Sequence, residues 1–120
     1  MTKVVFAMIA VGGGHQSSAR AIMDALNERH PGLHETRFMD FMKELGCGKL
    51  DAKHKATWRF LLRHPILCSI AFDAQERLFP LSRSFMKAYA RSFVPHAARF
   101  LLDYRPDVVV STHFLNCYPL

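Results

Sequence analysis

The sequence predicts an α/β fold: a small, doubly wound parallel sheet with flanking helices. Three observations carry that prediction. Lys3 to Val11 is an apolar, β-branched run without alternation, the pattern of a strand buried on both faces. A helical pattern follows at once, and a second strand pattern follows the helix. Near the far end, Asp107 to Thr112 (DVVVST) repeats the buried-strand pattern. The order β-α-β-(helices)-β is that of a doubly wound sheet.

The first helix is expected from His15 or Gln16 to Arg29. Ala19, Ile22, Met23 and Leu26 fall on one face at helical spacing. Ser17 and Ser18 sit in its first turn, and Pro31-Gly32 stops it. His34 to Phe41 (HETRFMDF) reads as the second strand, and residues 42–51 (MKELGCGKLD), with two glycines, read as a loop. A long helical region is expected from Ala52 to Phe79, interrupted by Pro65. Pro80 and Ser82 open another helix that runs to Tyr104, with a kink at Pro95 and a stop at Arg105-Pro106. Residues 1–120 are read as one domain. Three strands make a very small sheet for this fold, so the domain is expected to be incomplete, the front part of a longer chain.

Composition narrows the class. The chain has 120 residues, of which 50% are hydrophobic, as in one globular domain. The net charge is +6, and the excess is local. Between Lys49 and Arg105 eleven Lys/Arg face four Asp/Glu. That excess points to a phosphate-bearing partner, nucleic acid or anionic lipid, or to a solvated face. Cys47, Cys68 and Cys117 form no C-x-x-C pair, so neither a zinc framework nor a disulfide scaffold is expected. No signal peptide is expected, and no run reaches about 18 apolar residues, so membrane contact would be peripheral.

The seam between strand and helix reads VVFAMIAVGGGHQSSARAI. In open α/β sheets, ligands bind at the carboxyl ends of the strands. Gly12, Gly13 and Gly14 let a ligand approach the backbone, and the start of the helix favours an anion such as diphosphate. The motif is neither G-x-G-x-x-G nor a P-loop. A tight turn with no ligand is the bland alternative. His15 stands at the mouth of that crevice. The positive end of the helix dipole disfavours imidazolium there, leaving a neutral ring able to act as a general base.

Two stretches, VGGGHQSSARAI and the later PDVVVSTHFL, resemble the N-terminal domain of monogalactosyldiacylglycerol synthases and bacterial processive diacylglycerol glucosyltransferases, of glycosyltransferase family 28. The resemblance implies a Rossmann-like N-terminal half of a two-domain GT-B enzyme. It implies inverting, metal-independent transfer of a hexose from a UDP-sugar to diacylglycerol, with no cofactor. On it, His15 would be the base, and Gly12, Gly13, Gly14, Gln16 and Ser17 would lie against the donor's phosphate or sugar. Thr112, His113 and Phe114 would face the same cleft. The family's C-terminal donor domain has no counterpart in these residues, so the chain alone is expected to be inactive. The place implied is the cytoplasmic face of the cell membrane, held peripherally.

Residues 53–64 (KHKATWRFLLRH) mix cations with aromatic and aliphatic side chains. On a helix, Lys55, Arg59 and Arg63 recur at i, i+4, i+8, beside a face of Trp58, Leu61 and Leu62. A basic stripe beside an apolar face suits an anionic membrane surface, so Lys55, Trp58, Arg59, Leu62 and Arg63 are candidates for acceptor or membrane contact. The plain alternative is a helix that packs its apolar face into the domain's own core. Arg83, Lys87 and Arg91 repeat the stripe and read as a solvated face. Two other functions compete: a non-catalytic module that binds an anion or lipid, and a nucleic-acid binder. No recognition-helix or RNP-like pattern supports the last.

Overall fold

The computed structural model describes residues 1–117. Its elements are β1 (Thr2–Met8), α1 (Gly14–Arg29), β2 (His34–Asp40), α2 (Phe41–Glu44), α3 (Gly48–Arg63), α4 (Pro65–Arg77), α5 (Phe79–Arg91), α6 (Val94–Tyr104) and β3 (Val108–Ser111), followed by a 3-10 turn (Phe114–Cys117). The sheet is parallel, in the order β2-β1-β3. The expected α/β class, with a small parallel sheet flanked by helices, is what the chain forms.

Strand register sorts the side chains into two layers. Phe6 pairs with Phe38, and Ala7 with Met39. Neighbouring residues along a strand point to opposite faces. On one face, Arg20 of α1 lies over the Phe38 ring, 4.9 Å from its centre. On the other, Val5, Ala7, Met39 and Phe41 pack with Ala97 of α6, beside Phe100 and Tyr104. The helices therefore cover both faces, and β1 is buried throughout its middle.

Four expectations are corrected. β1 ends at Met8, not Val11, because its partners run out: Asp40 of β2 pairs with Met8 and Ser111 of β3 with Ala7. Residues 42–51 are mostly helical. Phe41 and Met42 are fully buried in α2, Gly46 turns the chain at φ +86°, and Gly48 is already inside α3. Ile22 does not join the buried face of α1: it is 47% exposed, while Ala19 is fully buried. The prolines act more sharply than kinks. Pro65, Pro80 and Pro95 each occupy the first turn of a separate helix, where a missing N–H costs nothing.

Helix α4 and the start of α5 lie outside the core, while the end of α5 packs into it through Met86, Tyr89 and Ala90. No residue of α4 is buried, and Ile66, Phe79, Leu81 and Phe85 are exposed. The radius of gyration is 15.9 Å, against roughly 14 Å for a compact domain of this length.

Candidate functional site

The site begins where β1 ends. Gly12 adopts φ +63°, a left-handed conformation that favours glycine, and the chain swings over the end of the sheet into α1. A side chain added at Gly12, Gly13 or Gly14 would meet no other group within 4 Å, so the space above the loop is open. His15 follows in the first turn of α1. Its Nδ1 lies 2.5 Å from the carbonyl oxygen of Thr112, just past β3. The Thr112 hydroxyl in turn donates to the His15 carbonyl at 2.9 Å.

That contact sets the tautomer. A carbonyl oxygen only accepts, so Nδ1 carries the proton and donates it. In the neutral ring the lone pair is then on Nε2. His15 lines a cavity of about 360 Å³ together with Gly12, Trp58, Leu62, Phe72 and His113.

Two further histidines stand behind it. The His113 ring packs edge to face on His15 at 4.6 Å and on His54 at 5.5 Å. His113 is 3% exposed. Burial, with the charges of His15 and His54 added, pushes its pKa down to about 4. Burial also lowers the pKa of His54, assisted by Lys55 and opposed by Asp51. No group of three or more His, Cys, Asp or Glu among the described residues is placed to hold a metal ion.

The remaining sequence-derived residues divide. Trp58 is half-buried and packs on Phe72 at 6.0 Å. It belongs to neither core cluster, and Leu62 beside it is 60% exposed. Trp58, Leu61 and Leu62 of α3 thus line cavities, while Leu50 near its start packs on the core. Lys55 leaves the basic stripe. It is bonded to Asp40 at 2.5 Å and Asp51 at 2.8 Å, while Arg59 and Arg63 are exposed. The reason is helical drift: each step of four residues turns about 40° further round the axis. Gly13, Gly14, Gln16 and Ser17 are exposed at the start of α1, and the Ser17 hydroxyl donates to the Gly14 carbonyl. Thr112 clasps His15 and His113 packs on it. The side chain of Phe114 lies outside the described residues.

The chain is 28% identical over 110 residues to monogalactosyldiacylglycerol synthase 3, chloroplastic, of Arabidopsis thaliana. The match takes in 92% of this chain and 23% of that protein. This chain is a distant relative of the monogalactosyldiacylglycerol synthases. A probable monogalactosyldiacylglycerol synthase of Nicotiana tabacum is likewise 28% identical, over 92% of this chain and 20% of its own length. For the synthase of Spinacia oleracea the figures are 27%, 92% and 21%. The chain thus spans less than a quarter of the length of these synthases. No family model matches the chain, and no solved structure does.

Sequence reasoning missed His54, Asp40 and Asp51. A signal was present for two of them. Asp51, His54, Lys55 and Trp58 recur at i, i+3, i+4, i+7, one inward face of α3. Asp40, at the end of β2, carried no signal: only the packing of α3 against that strand end brings it to Lys55.

Proposed function

We propose that this chain is the acceptor-binding part of a glycosyltransferase that moves a hexose from a UDP-sugar to diacylglycerol, with His15 as general base. The observation that supports this best is the oriented His15 ring. With Nδ1–H held by Thr112, the Nε2 lone pair is the basic atom beside an apolar cavity. In this reading Nε2 takes the proton of the acceptor hydroxyl. The oxygen attacks the anomeric carbon, the bond to UDP breaks with inversion, and UDP leaves with the electron pair. Gly12, Gly13 and Gly14 leave the diphosphate room at the start of α1, with Gln16 and Ser17 beside it, and a separate donor-binding domain supplies the rest of the UDP-sugar site.

The reading also places the protein peripherally on the cytoplasmic face of the cell membrane. Exposed Arg59 and Arg63 stand beside exposed Leu62 and Ile66, a pairing suited to anionic lipid. No helix among the described residues is long and apolar enough to cross a membrane.

The test fuses this chain ahead of the donor-binding half of a monogalactosyldiacylglycerol synthase. UDP release is then measured with diacylglycerol in anionic vesicles, beside His15→Ala. The expected loss is at least about a hundredfold in kcat, the lower range for a positioned base. An active fusion that His15→Ala leaves unchanged removes His15 from catalysis and leaves a lipid- or anion-binding module.

A further inference from the structure

A second cavity shares Trp58 with the first. It too measures about 360 Å³, and its walls include His54, Thr57, Trp58, Leu61, Phe85 and Met86. Trp58 is common to this cavity and to the one beside His15. His54 joins them again, since it lines the second cavity and packs on His113 of the first. Both volumes fall within the range of small-molecule sites, roughly 300–1,000 Å³, and both are walled mainly by apolar and aromatic side chains.

We infer that the two cavities hold the two acyl chains of one glycerolipid, with Trp58 as the divider between them. This rests on the acceptor reading above. A diacylglycerol has a single free hydroxyl and two chains leaving adjacent carbons. With that hydroxyl at Nε2 of His15, one chain lies along Leu62 and Phe72. The other crosses the Trp58 edge into the cavity of Leu61, Phe85 and Met86. The first cavity by itself would accept a one-chain lipid equally well. The second makes the site selective for two chains, because it returns burial energy only to a ligand that fills it. Phe85 is 67% exposed at one wall of this cavity, and Met86 is a side chain that adapts to flexible ligands. Lys53 is the one formally charged side chain in its lining, and the rest of the polar lining, such as Thr57 and Gln75, is neutral.

Trp58 is the sole tryptophan, so its fluorescence reports on both cavities. The 120-residue chain is titrated with monomeric dioctanoylglycerol and with monooctanoylglycerol. The two-chain lipid is expected to bind at least about tenfold tighter, since a second chain buries several methylenes. Thr57→Phe puts a ring into the second cavity from an exposed position on α3. It should erase that advantage and leave monooctanoylglycerol binding as it was, with the circular dichroism unchanged. Leu62→Phe, beside His15, should weaken both lipids alike. Binding of both lipids with no two-chain preference, or a preference that survives Thr57→Phe, overturns the divided site and leaves the acceptor reading intact. Binding of neither lipid overturns both.

Discussion

His15 and Thr112, 97 residues apart, hold each other by two hydrogen bonds. The imidazole Nδ1–H donates to the Thr112 carbonyl at 2.5 Å, and the Thr112 hydroxyl donates to the His15 carbonyl at 2.9 Å. The clasp joins the start of α1 to the end of β3 across the carboxyl rim of the sheet. It sets the tautomer of the ring, against which His113 also packs.

Thr112→Val keeps the carbonyl and removes the hydroxyl. The expected cost is about 1 kcal/mol of stability, the net worth of one ordinary hydrogen bond, read from urea unfolding. Thr112→Ser should restore it. If His15 is the base, as proposed, Thr112→Val in the fused enzyme should lower kcat more than it raises KM, because it loosens the ring and leaves lipid binding alone. Equal stability of the Val and Ser variants would show that the hydroxyl bond contributes nothing.

Stability should fall as the solution is acidified from about pH 6.5 to pH 4. The folded pKa of His113 is depressed to about 4, below its ordinary value of 6.5. Between those values the unfolded chain binds a proton that the folded chain does not, so the stabilising effect is present above pH 6.5 and is lost on acidification. His54 is shifted in the same direction and adds to the slope. The contribution of His113 is at most about 3.5 kcal/mol, taking roughly 1.4 kcal/mol per pH unit. Denaturant titrations of the wild type and of His113→Gln across this range measure it. The variant should show a shallower slope, and an unchanged slope would clear His113 of the effect.

Lys55 and Arg59 look alike in sequence and should behave differently. Lys55 lies between Asp40 and Asp51, and Asp51 is 4% exposed. One further oxygen on each carboxylate is buried without a hydrogen bond. Burial by itself would lower the Lys55 pKa, yet the hydrogen bonds and charges of Asp40 and Asp51 outweigh it and raise the value. Lys55→Met strands two buried carboxylates and should cost roughly 3–5 kcal/mol, the range for breaking a buried pair. Arg59→Met, at an exposed position, should change stability by less than about 0.5 kcal/mol. Thermal unfolding of the two variants side by side decides it, and similar melting temperatures would refute the buried triad.

The legible parts of the site were those carried by local sequence. A buried strand shows as unbroken Val, Ile and Phe, and a glycine loop before a helix marks the seam at the strand's carboxyl end, so β1, α1, β3, His15 and His113 could all be placed. The reading of residues 42–51 failed because glycine marks only permission for a turn. The burial of Phe41 and Met42 made that segment helical. The basic stripe failed at Lys55 because spacing along a helix does not say which flank meets a carboxylate.

The sequence by itself determined the α/β class, the strand order along the chain, and the position of His15 at the rim of the sheet. These follow from periodicity and from glycine and proline chemistry, which act over a few residues. The tertiary structure alone decided which His15 nitrogen carries the proton, that Lys55 turns inward, and that Trp58 lines two cavities. Each of these depends on groups far apart in the chain, Thr112 for His15 and Asp40 for Lys55. Such pairings are set by how the helices pack on the sheet, which no local pattern encodes.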